Sequence, residues 1–203
     1  MTQDMGELLK KYGPLGAVQL MFYRLFTLVF FPGARLIRLP FEIRNRRHIL
    51  VGERFTTGKY CRLEAYPSNG RSGKVLSIGK DVQINDNVHI VAVQHVNIGD
   101  HVLIASKVFI SDSNHGSYSG AIQSSPEVPP AQRPLSVKPV NIGNNVWIGE
   151  FVTILPGTTI GAGAIIGSMS VVSRDIPGNC IAVGSPAKVI KRYSSETARW
   201  EKV

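Results

Sequence analysis

At 203 residues the chain can build one substantial core, and its apolar content of 43% argues against general disorder. Two cysteines, Cys61 and Cys180, stand far apart in no metal-like spacing, which argues against a disulfide scaffold or a cysteine-ligated zinc site and suits a reducing compartment. The net charge of +9 is uneven: residues 1–50 carry +5, residues 185–203 carry +3 and the middle only +1, so phosphates, anionic lipid or nucleic acid would meet the ends.

Residues 4–31 read as helix, with Leu8, Leu9, Leu15, Val18, Leu20, Met21, Leu25 and Phe26 in mixed register. The first residues are polar and acidic, unlike a signal peptide. The run Gly16–Phe31 is apolar nearly all round, but it holds Gln19 and Arg24, stops at Pro32 and is shorter than the roughly 20 residues of a bilayer span. Arg35, Arg38, Arg44, Arg46 and Arg47 follow it. Two roles stay open for such a helix: lying in the interface of an anionic membrane, or packing over the first unit of whatever fold comes next.

That fold is set by a repeat of six. Ile78, Ile84 and Ile90 are followed, after a two-residue slip, by Ile98, Ile104 and Ile110; after a longer interruption come Ile142, Ile148, Ile154, Ile160, Ile166 and Val172. The next position is often small (Gly79, Gly99, Gly143, Gly149, Gly161, Gly167), and the fifth is small or β-branched (Val82, Val102, Val146, Thr158, Ala164). A weaker copy runs through Val51-Gly52, Thr57-Gly58 and Leu63. A period of six fits neither an α-helix nor an alternating strand; it fits a short strand plus a turn, with the branched side chain inside and the glycine permitting the turn. Three such units make a triangular coil stacked by parallel pairing. The expected organisation is an N-terminal helical and basic segment over 1–48, a parallel β-helix over 49–186 with a Pro-rich excursion at 116–138, and a C-terminal helical cap over 187–203.

The run IGNNVWIGEFVTILPGTTIGAGAIIGSMSVVSRDIPGNCIAVGSPAKVIKR resembles the second half of the hexapeptide-repeat acetyltransferases. Through QINDNVHI, IASKVFISDSNHG and the loop ending in RPL, almost the whole chain resembles bacterial lipopolysaccharide (O-antigen) biosynthesis O-acetyltransferases. The resemblance implies a left-handed coil, a homotrimer with active sites between subunits, acetyl-CoA as acyl donor, no metal, no nucleic acid, and a sugar or lipid-linked saccharide acceptor. A cytoplasmic enzyme is expected, and the apolar run with its basic flank adds peripheral contact at the inner face of the membrane as one of the two roles left open above. His115, at the end of SDSNHG, falls where the family has its general base; a sugar hydroxyl is a poor nucleophile and imidazole titrates near neutrality. A turn histidine bonding the backbone is the plainer alternative. Asn85 matches an acceptor-contacting amide, or is a turn-ladder asparagine. An acidic residue that some relatives place eight positions later is here Val93. For the CoA side the resemblance points to Trp147, Gly149, Glu150, Ser168, Ser173, Lys188 and Lys191; relatives often carry arginine in place of the two lysines, and Trp147 could instead pack between subunits. A γ-carbonic-anhydrase-like metalloenzyme, tested by His89, His95 and His101, and a non-catalytic β-helical scaffold remain as alternatives.

Overall fold

The computed structural model describes residues 5–68 and 72–203; the first four residues of the expected N-terminal segment lie outside it. The chain winds a triangular prism of short parallel strands. Face A stacks Thr56–Thr57, Gln83–Ile84, Leu103–Ile104, Trp147–Ile148, Ile165–Ile166 and Cys180–Val183. Face B stacks Phe41–Arg44, Cys61–Ala65, His89–Ala92, Phe109–Ser111, Thr153–Ile154 and Val171–Val172. Face C stacks Ile49–Val51, Leu76–Ile78, Val96–Ile98, Val140–Ile142 and Thr159–Ile160.

The hexad register explains the core. The repeating isoleucines form one interior column per face: Ile84, Ile104, Ile148 and Ile166 on A; Ile90, Ile110, Ile154 and Val172 on B; Ile78, Ile98, Ile142 and Ile160 on C. Each is buried, and removing such a side chain to Ala costs about 2–5 kcal/mol in a close-packed interior. The fifth-position residues Val82, Val102, Val146 and Ala164 fill the space beside them.

The repeat glycines have a different reason from the one the sequence suggests. Their φ values are not left-handed; the left-handed residue comes two positions later, at Asp81, His101, Asn145, Phe151 and Met169. The glycines are needed for clearance between coils. A Cβ on Gly99 would lie 2.8 Å from the Asn144 backbone nitrogen, and one on Gly149 would lie 2.6 Å from that of Ser168.

The coil begins inside the segment 1–48, since Phe41–Arg44 already pairs with Cys61–Ala65 and Leu36 bridges to Thr56. The expected helix is present as Met5–Phe30, kinked at Gly13-Pro14 where Gly13 has φ 68°. It closes the N-terminal end of the coil through Ala17, Tyr23 and Thr27. The Tyr23 hydroxyl donates to the Leu39 carbonyl at 3.0 Å, and the Ile37 N–H donates to Thr27 Oγ1 at 2.8 Å.

At the other end the expected helical cap is wrong. Lys188–Ser194 and Arg199–Lys202 form a β-hairpin that continues face A, antiparallel to Cys180–Val183. The last coil strand offers a row of unpaired backbone groups, which a returning strand can satisfy and a helix cannot. Tyr193 and Trp200 pack edge to face across the hairpin at 5.4 Å.

Candidate active site

Every irregularity of the repeat falls on one edge of the prism, where face B turns into face C. The chain lengthens there at residues 66–75, at Val93–His95 and at 113–138, whereas the next coil turns at 155–158 without insertion. The two-residue slip and the long excursion are successive events at this edge, and Asp112 joins them. Its carboxylate is fully buried and accepts the N–H groups of Val93 at 2.8 Å, Gln94 at 2.7 Å and His95 at 2.7 Å. The Lys138 N–H returns to the Asp112 carbonyl at 2.8 Å, closing the base of the excursion.

His115 stands on the stem of that excursion. Ser113–His115 pairs antiparallel with Leu135–Val137, His115 opposite Leu135. The excursion therefore carries its own ladder, where the sequence suggests only a proline-stiffened loop. Arg133 organises the rest: its guanidinium donates to the Val128 carbonyl at 2.8 Å, the Pro126 carbonyl at 3.2 Å and the Tyr118 hydroxyl at 2.8 Å. Tyr118 in turn donates to the His115 carbonyl. The backbone of His115 is thus held from both sides while its side chain is exposed. Asp112, Tyr118 and Arg133 are absent from the sequence-derived set, although Asp112 and Arg133 lie inside the motifs SDSNHG and RPL that flank the excursion.

Asn85 lies on a different edge, where face A turns into face B. Parallel stacking puts it in one column with Ala105, Gly149 and Gly167, each N–H donating to the carbonyl of the coil above. The hairpin extends this column to Val183 and its partner Lys188. Glu150 and Ser168 are the next residues at the same edge, and the Glu150 N–H donates to Ser168 Oγ at 3.1 Å. Trp147 is half-exposed on the outer side of face A, in a row with Leu103, Ile165, Ile181 and Lys191. Asn85, Trp147, Gly149, Glu150, Ser168, Lys188 and Lys191 are therefore gathered along one edge. This edge is a track of small residues whose hairpin end is basic. Ser173 is not part of it: it lies past Val171–Val172, where face B turns into face C.

Face B separates the two edges. Within one chain His115 and the Asn85 column are apart by a full strand and turn, on the order of 15 Å. His115 and the Asn85 column therefore lie on separate edges of one chain.

The outer side of face B carries a charge cluster. Glu64 accepts from Tyr66 at 3.2 Å, pairs with Arg44 at 2.9 Å and Arg62 at 3.4 Å, and lies 2.8 Å from His89 Nε2. Burial alone would raise its pKa, but His89, Arg62 and Tyr66 outweigh that and hold the carboxyl below its usual range. His89 is committed to this cluster, and His101 lies 3.6 Å from Asp81. Among the described residues no three His, Cys, Asp or Glu side chains gather as metal ligands.

A left-handed β-helix of six-residue repeats is the fold of the hexapeptide-repeat acetyltransferases, and comparison with known proteins agrees. Residues 139–174 match the family described as bacterial transferase hexapeptide (six repeats). The chain is 48% identical over 97% of its length, and 98% of the relative's, to WbbJ of Escherichia coli (strain K12), a protein named for O-acetyl transfer in lipopolysaccharide biosynthesis. It is 36% identical to the galactoside O-acetyltransferase of the same organism, over 76% of this chain and 72% of that one. The solved hexapeptide-repeat acetyltransferase of Vibrio cholerae superposes with TM-score 0.59 at 28% identity, covering 74% of this chain and 77% of that chain; it is also solved with acetyl coenzyme A. The chain belongs to the hexapeptide-repeat acetyltransferases and is an acetyl-CoA-dependent transferase. Sugars are the acceptor class that these relationships support.

Proposed function

We propose that this enzyme acetylates a hydroxyl of a surface-polysaccharide saccharide, of the lipopolysaccharide O-antigen class, with His115 as general base, in sites shared between subunits of a homotrimer. The observation that carries the reading is the split between edges: a tethered, exposed histidine on one edge and a row of small residues with a basic end on another. A neighbouring copy brings its track against this histidine.

In the proposed reaction acetyl-CoA lies along the column of Ala105, Gly149 and Gly167, its nucleotide phosphates towards Lys188 and Lys191 as point charges. Trp147 walls the track and Asn85 offers a donor and an acceptor to the saccharide. His115 takes the hydroxyl proton as the oxygen attacks the thioester carbon. The C–O bond forms, the C–S bond breaks, and the proton passes from His115 to the departing thiolate. Backbone N–H groups at the coil edge are suited to the transient oxyanion. Because acetyl-CoA is the donor, the reaction belongs in the cytoplasm.

The test is thiol release from acetyl-CoA against a panel of free, nucleotide-linked and lipid-linked saccharides. Release that depends on the acceptor, and falls roughly 10²–10⁴-fold in His115→Ala while CoA still binds, is the expected result. A His115→Ala enzyme with near-normal turnover on its best acceptor would remove the general-base assignment.

A further inference from the structure

Helix Met5–Phe30 closes the coil with one side only. At 100° per residue, Leu15, Val18, Met21, Phe22, Leu25, Leu28 and Val29 fall within an arc of about 140°, opposite Tyr23 and Thr27. All seven are more than half exposed, and between Leu15 and Phe30 no polar residue lies within the arc. In the most apolar 18-residue stretch within Leu9–Phe30 the mean hydropathy is 1.3, and only 17% of that stretch is buried. A patch this large is rarely left open on a soluble surface.

We propose that this face docks in the interface of an anionic lipid bilayer, with the helix lying flat and the prism standing on it. The opposite side of the helix is held on the coil by the buried Ala17, Tyr23 and Thr27 and by the Tyr23–Leu39 and Thr27–Ile37 hydrogen bonds, which favours lying flat although the helix is long enough to cross. Charge selects lipid over another protein surface. Lys10, Lys11 and Arg24 lie on the helix, Arg46 is held at its end and Arg47 follows Arg46 in the chain; none makes an ion pair among the described residues. Glu7 is the one acidic residue in the helix. Arg46 is held at the helix end, donating to the Phe30 carbonyl at 2.7 Å and lying 4.4 Å over the Phe31 ring. Arg44, in contrast, is occupied by Glu42 and Glu64 and is not part of this set. Two copies packed face to face would bring these cations together, whereas anionic headgroups neutralise them.

The test is cosedimentation of the full chain with phosphatidylglycerol–phosphatidylcholine vesicles and with phosphatidylcholine alone. Binding should favour the anionic vesicles and weaken with salt. The double variant V18E/L25E, altered only at exposed positions, should lose binding at least about tenfold with unchanged melting and oligomeric mass. R46Q/R47Q should lose the preference for anionic lipid. Vesicle binding by V18E/L25E equal to that of the parent, or no binding by the parent even at low salt, overturns the proposal. A fall in oligomeric mass on V18E/L25E without vesicle binding by the parent would assign the face to a second copy instead.

Discussion

The carboxylate of Asp112 accepts the backbone N–H of His95 at 2.7 Å, tying the point where the long excursion leaves the prism to the phase slip one coil earlier. With the Val93 and Gln94 N–H groups it forms a three-donor cradle, and no ion pair to Asp112 exists among the described residues. Two breaks in the repeat, remote in sequence, are thus one joint in space, and His115 hangs from it.

The first expectation follows directly. Asp112→Ala leaves one buried and two part-buried backbone donors without an acceptor and should cost about 3 kcal/mol of unfolding free energy, since hydrogen bonds to a charged group are the strong ones. Asp112→Asn turns an NH2 towards the same donors and should also destabilise. Urea titration of the two variants checks this, and a loss below about 0.5 kcal/mol would contradict the joint's role.

Arg133 should matter to turnover more than to stability. Its bonds to Val128, Pro126 and Tyr118 lie inside the excursion, outside the isoleucine columns. Arg133→Ala should lower turnover about tenfold or more by loosening the His115 stem, with unfolding free energy changed by less than about 1 kcal/mol. A large fall in melting with normal turnover of the folded fraction would reverse the assignment.

If the site is shared between subunits, two inactive variants should repair each other. Asn85→Ala and His115→Ala mixed before assembly give trimers in which an intact Asn85 edge meets an intact His115. Roughly a quarter of all sites should then be whole, counted over random trimers of cyclic symmetry. Acetylation assays on the coexpressed pair measure this; activity no higher than the separate variants would place both residues in one chain's site or neither in any.

Glu64 gives the acid dependence. Its folded pKa is depressed by His89, Arg62 and Tyr66 against the opposing effect of burial, so its contribution is present above the usual carboxylate range and lost as pH falls through the depressed value. Glu64→Gln should weaken the protein near neutrality, where Arg44 and Arg62 lose their partner. It should also flatten the decline in stability as pH falls below about 4.5. Parallel stability–pH curves for the two proteins would show that another group governs the acid limb.

The sequence by itself determined the prism. Each interior column is one residue type at a strict period of six, and only a three-sided coil turns that period into three aligned faces, so the register of Ile78 through Val172 was legible before any coordinates. His115, and the edge that gathers Asn85, Gly149, Ser168 and Lys188, came from local motifs whose spacing the coil preserves. What depends on residues far apart in the chain was left to the tertiary structure. The C-terminal segment became a hairpin because the last strand's open backbone row exists only after the coil is built. The repeat glycines are required by the coil above, at Gly99 against Asn144 and Gly149 against Ser168, which no local φ preference reveals. Asp112 became a joint because a six-residue period returns the chain to the same edge every third unit, placing its carboxylate under the amides of Val93–His95. Ser173, with a local pattern like that of its neighbours in the motif, landed on the opposite side of face B for the same reason: one strand of advance along the chain is a full edge of the prism in space.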